Sequence, residues 1–97
     1  MAVSFTPFKI TQKQKNGTAL QTQGTNTIAN HSTSSPYTVP AGADYVLVSF
    51  DAATTLTATP IADLSGQEVT GYSQRFEGAG QTEIIGVIPG KTVITAA

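Results

Sequence analysis

The chain has 97 residues, charged side chains at only 11% of positions and a formal net charge of −1. That length holds one domain, and five scattered basic residues exclude the electrostatic footprint of a nucleic-acid or anionic-membrane binder. The lack of cysteine excludes both a disulfide framework and a thiolate metal site.

Val3-Ser4-Phe5-Thr6-Pro7-Phe8-Lys9-Ile10 alternates between apolar and polar positions, with a phase shift at Pro7. Proline cannot donate to a strand ladder, so the segment reads as an edge strand or a strand interrupted by a bulge. Residues 1–15 are therefore expected to form an N-terminal arm or edge strand of a single β domain spanning 1–97. Asn16-Gly17 between two runs is a hairpin signal, because both central residues of a type I′ turn need positive φ; residues 18–23 would return. Residues 1–20 contain no apolar core of signal-peptide length, which predicts synthesis in the cytoplasm without general export. Asn16-Gly17-Thr18 and Asn30-His31-Ser32 match a glycosylation acceptor pattern and are read as turns. Residues 24–35 form a polar loop interrupted by Ile28 and Ala29, with room for a short strand at 27–29. Long loops of this kind are often contact segments that order on a partner.

The densest apolar run is Tyr45-Val46-Leu47-Val48-Ser49-Phe50. Six β-branched and aromatic-rich residues suit a strand, not a helix. Val46, Val48 and Phe50 share one face; Tyr45, Leu47 and Ser49 share the other. Two largely apolar faces predict a central strand that is covered on both sides, or on one side by a neighbouring subunit. Ahead of it, Val39-Pro40-Ala41-Gly42 reads as a tight turn with Pro40 at its second position. Thr54-Thr55-Leu56-Thr57-Ala58-Thr59 alternates with Leu56 and Ala58 inward, and Pro60 ends it. Residues 61–66 are a connector that accommodates a single helical turn. In residues 67–77 Gly71 marks a bulge or a close backbone approach. Gly78-Ala79-Gly80 is a loop, residues 81–88 are strand-like, and Pro89-Gly90 turns into a last strand. The similarity of Val39-Pro40-Ala41-Gly42 to Ile88-Pro89-Gly90 is that of two sandwich corners, not a repeat. Seven or eight short, evenly spaced strands predict an all-β fold, a small β-sandwich or jelly-roll-like barrel.

No constellation for catalysis is legible. His31 is the only histidine and lacks a second nitrogen or sulfur ligand for a metal. Asp44, Asp51, Asp63, Glu68, Glu77 and Glu83 are scattered, without a spacing that selects a carboxylate pair. Serines occur without a nucleophile elbow, and Gly78-Ala79-Gly80 lacks the lysine and helix of a phosphate loop. No run of oxygen ligands resembles a calcium loop. There is no tryptophan for sugar stacking, and Tyr37, Tyr45 and Tyr72 fall inside strand-like runs. The expectation is a protein that is not an enzyme and takes no cofactor.

A short, cysteine-free, Thr/Ala/Gly-rich all-β chain with Tyr37-Thr38-Val39-Pro40-Ala41-Gly42 feeding an apolar strand resembles small structural proteins of tailed-bacteriophage virions. The capsid decoration, or cement, proteins are the nearest in size, and the resemblance covers mainly residues 36–97. It implies a partner, the major capsid protein or another virion protein, bound from outside the capsid by a homo-oligomer, commonly a trimer. It also implies a place on the virion after synthesis in the host cytoplasm, and stabilisation of the shell by bridging capsomers. The chain lacks the long polar N-terminal arm of some of these proteins, so residues 1–15 or the 24–35 loop would make the contact. Phe5, Phe8, Thr27, Ile28 and His31 are the candidate protein-contact residues, with packing into the chain's own core the favoured reading for Phe5. Two alternatives are a carbohydrate-binding β-sandwich module and a head–tail or tail-tube component; a monomer that binds glycans, or a hexameric ring, would distinguish them.

Overall fold

A computed structural model describes residues 2–10, 25–28, 31–63, 65–78 and 80–97. Ten strands follow in order: β1 (Val3–Ile10), β2 (Thr25–Thr27), β3 (Tyr37–Thr38), β4 (Tyr45–Phe50), β5 (Thr54–Thr59), β6 (Ile61–Ala62), β7 (Glu68–Val69), β8 (Tyr72–Phe76), β9 (Gln81–Gly86) and β10 (Val93–Ala96). They form two four-stranded antiparallel sheets, β2-β1-β4-β9 and β3-β10-β5-β8, and a two-stranded hairpin β6-β7. The fold is all-β, a small sandwich whose sheets do not close into a barrel. No helix occurs among the described residues. The connector after Pro60, which the sequence left open to a helical turn, is the β6-β7 hairpin, with Ile61 opposite Val69 and Ala62 opposite Glu68.

Side-chain alternation builds the core. Val46, Val48 and Phe50 of β4 face inward, joined by Val3 and Phe5 of β1 and Ile85 of β9. The second sheet supplies Tyr37, Leu56, Ala58 and Ile94. Two aromatic contacts tie the layers together. Phe5 stacks on Tyr37 with centroids 5.0 Å apart, and Phe50 meets Phe76 at 5.4 Å in a tilted pair. Aromatic pairs at these separations stabilise beyond the area they bury.

β1 is an interior strand whose ladder is interrupted beside Pro7, the second of the two readings of that segment, and not an edge strand or free arm. Six of its residues pair with β4, and its other side pairs with β2. Pro7 is tolerated because its nitrogen faces the β2 side, where the ladder changes register. Ile28 N donates to Pro7 O at 2.9 Å, while Phe5 and Ser32 exchange hydrogen bonds of 2.8 and 3.1 Å. Between these two contacts β1 advances from residue 5 to 7 and the facing chain from 28 to 32, so the pairing shifts by two residues beside the proline. The missing donor falls at that shift. The Asn16-Gly17 turn lies outside the described residues.

The two Pro-Gly corners touch. Ala43 N donates to Pro40 O at 3.4 Å, which makes Pro40 the first residue of its turn and not the second. Gly42, at the third position, has φ +95°, as a type II turn requires. Gly90 N also donates to Pro40 O, at 3.2 Å. Behind the corners Thr92 is fully buried, and its hydroxyl accepts from Ile88 N at 2.8 Å and donates to Pro60 O at 2.6 Å. Thr92→Val keeps the shape but strands a buried donor and an acceptor. It is expected to cost about 1–3 kcal/mol, read as a lowered denaturant midpoint at unchanged slope. Gly71 makes the close approach that its position suggested: a Cβ there would lie 2.0 Å from Ala58 O and 2.6 Å from Thr59 Cα. No side chain fits between β8 and β5 at that point.

Candidate protein-contact surface

The outward face of the β2-β1-β4-β9 sheet is set by the same alternation that builds the core. Register places Phe8, Tyr45 and Gly86 in one row, Thr6, Leu47 and Ile84 in the next, and Ser4, Ser49 and Thr82 in a third. None of these positions carries a charge. The Phe8 and Tyr45 rings stack at 5.4 Å with planes 22° apart, and Tyr45, Leu47 and Phe8 are half-buried. Ile84 is 58% exposed, the most exposed large apolar side chain described. The result is an apolar centre, Phe8–Tyr45–Leu47–Ile84, with a hydroxyl-bearing margin of Ser4, Thr6, Ser49 and Thr82. An apolar centre with an uncharged polar rim is the composition of a protein-contact patch.

The residues singled out from sequence separate here. Phe8 lies on this face. Phe5 does not: its ring is fully buried, packed on Tyr37, and it belongs to the core, because alternation along β1 turns it opposite to Phe8. Thr27 lies in β2, directly opposite Phe8 across the ladder. Ile28 is half-buried and packs against the core. His31 is exposed, with Nδ1 3.0 Å from Thr6 Oγ1, within hydrogen-bonding distance at the margin of the same face. Phe8, Thr27 and His31 are thus gathered at the β1–β2 side of the patch. Tyr45 and Leu47 were on its face from the sequence pattern; Ile84 was not. The adjacent pair Ile84-Ile85 leaves the phase of β9 ambiguous until its pairing with β4 is known.

The titratable groups do not converge. Among the described residues no three of His, Asp and Glu come together in a cluster able to hold a metal. Asp63 shapes its own turn: Oδ1 accepts from Ser65 Oγ at 2.6 Å, Ser65 N at 2.8 Å and Gln67 N at 3.0 Å. The Ser65 hydroxyl, followed by the Gln67 amide, holds its carboxyl below the usual range. A depressed folded-state value stabilises above the ordinary carboxylate range and loses its effect as pH falls through the lowered value, so this turn loosens only in acid. Burial, and then the Glu83 charge, push the Tyr72 phenol up. Arg75–Glu77 at 3.1 Å and Lys91–Glu68 at 2.7 Å are exposed ion pairs of small energetic weight.

Comparison with protein-family models, curated proteins and solved structures finds no match to this chain.

Proposed function

We propose that the protein is a non-enzymatic structural protein of a tailed-bacteriophage virion, which binds the outside of the capsid as a homo-oligomer and stabilises it by bridging capsomers. The observation that carries the protein-binding part is the uncharged outer face of the first sheet, with Ile84 58% exposed beside the Phe8–Tyr45 stack. Apolar area left in water is unfavourable, and covering it with another protein surface lowers the free energy. The rim of Thr and Ser hydroxyls supports a wet interface without the desolvation cost of charged groups. The placement on a capsid rests on the resemblance of the 36–97 region to decoration proteins.

The test is to mix purified protein with purified capsids, undecorated and mature, and to count bound copies by imaging. Saturable occupancy of symmetry-related sites is the expected result. Absence of binding to any capsid, with monomeric sedimentation and affinity on a glycan array, would favour a carbohydrate-binding module. Ile84→Lys addresses the surface itself. A charge at the centre of the patch should weaken assembly or capsid binding by at least about tenfold. The melting temperature should be nearly unchanged, since Ile84 adds little to the core. Unaltered binding by Ile84→Lys would place the contact elsewhere.

A further inference from the structure

The first sheet ends at β9, and the backbone groups along that edge can be assigned. Val87 N donates to Asp44 O at 3.0 Å, which makes Asp44 and Val87 a hydrogen-bonded pair. Such pairs alternate along an antiparallel ladder. Val46–Ile85, Val48–Glu83 and Phe50–Gln81 are therefore the bonded pairs, and the N–H and C=O of Thr82, Ile84 and Gly86 point away from β4. At Gly86 the edge is already occupied: Ile61 bridges Val87, and a Cβ on Gly86 would stand 3.4 Å from Ala62 O. Thr82 and Ile84 remain as a stretch that no other described strand pairs with, beside the exposed Ile84 side chain. Glu83 sits between them, and its Oε1 accepts the outward Ile84 N–H at 3.1 Å.

We infer that the β9 edge is a strand-addition surface for the β9 of a second copy of this chain, held closed by Glu83. The occupant follows from the geometry. An antiparallel copy that pairs only through the outward groups of Thr82 and Ile84 centres on residue 83, with Thr82 of each strand exchanging hydrogen bonds with Ile84 of the other. That register is self-complementary, as a two-fold contact requires. It also sets the two residues 83 opposite each other as a non-hydrogen-bonded pair, the closest cross-strand arrangement. Glu83 opposes this twice. Two like charges directly opposite destabilise a ladder, and the carboxylate already holds the Ile84 N–H that the second strand would need. A charged side chain on an edge strand is a recognised means of preventing edge-to-edge pairing. The inference is independent of the proposed capsid role, because it concerns the sheet edge and not the sheet face.

The experiment compares sedimentation velocity of wild type, Glu83→Val and Glu83→Thr over a concentration series. Both variants place a β-favouring residue at a half-buried strand position, and circular dichroism confirms that each is folded. Self-association about tenfold tighter than wild type is expected, seen as a larger sedimentation coefficient at equal concentration. Adding Thr82→Pro to Glu83→Val should restore wild-type behaviour. Thr82 N–H points away from β4, so proline there removes a donor only from the added strand. Wild-type sedimentation of both single variants would overturn the inference. So would excess association that survives Thr82→Pro, since the contact would then lie elsewhere than the β9 edge.

Discussion

Val48→Asp is expected to abolish the folded state at neutral pH. Val48 is fully buried at the middle of β4, facing inward between Phe5 on one side of the ladder and Glu83 on the other. A carboxylate there loses its water, and its neighbour in the adjacent strand, Glu83, is itself acidic. Burying an uncompensated charge or protonating it to avoid that state costs several kcal/mol. The total stability of a domain is only about 5–15 kcal/mol, so this one change consumes most of it. The checking measurement is a thermal melt by circular dichroism. Loss of the cooperative transition is expected, and a melting temperature equal to that of wild type would contradict the position of β4.

Phe5→Ala should be the next most damaging change, at about 3–5 kcal/mol, the range for deleting a fully buried phenylalanine ring. Its ring lies between the sheets, stacked on Tyr37 at 5.0 Å, so the substitution removes core volume and an inter-sheet contact together. Phe8→Ala is the natural comparison, because Phe8 is half-buried on the outward face against Tyr45. Guanidinium titration of both variants separates the roles: a large drop in midpoint for Phe5→Ala and a much smaller one for Phe8→Ala. Equal drops would mean that the outward face carries as much stability as the core.

Much of the site was legible at the level of single strands. The apolar-on-both-faces pattern of Tyr45-Val46-Leu47-Val48-Ser49-Phe50 identified β4 as central, and its odd-numbered residues do lie on a face with an exposed apolar neighbour. The reason is that a strand's side-chain period is two, so a six-residue run states both of its faces without reference to any other part of the chain. The same logic placed Leu56 and Ala58 inward. Gly71 was likewise readable as a close approach, because glycine inside a strand pattern signals a missing Cβ.

The readings that stayed open, or were overturned, are those that depend on a neighbour. Pro7 marks a position that cannot donate, but whether that makes an edge strand depends on which side its nitrogen faces and where the facing ladder shifts. The structure answers with an interior strand and a register change beside the proline. Phe5 and Phe8 look alike in sequence, three residues apart around Pro7, and only the pairing of β1 with β4 sends one into the core and the other outward. The corner at Pro40 was found, yet its first residue was misplaced by one, since the closing hydrogen bond to Ala43 is what defines the turn.

Composition and periodicity by themselves determined an all-β chain of low charge with a central apolar strand, because charge is read from composition and a strand's faces repeat every two residues. Tertiary structure alone decided that Ile84 joins Leu47 across a ladder, that Thr92 bridges Ile88 and Pro60, and that the Glu83 carboxylate accepts the Ile84 N–H on the side of β9 away from β4. Those facts arise from residues far apart in the chain meeting in one register, and strand register is set by the packing of the whole sandwich, not by any segment of it.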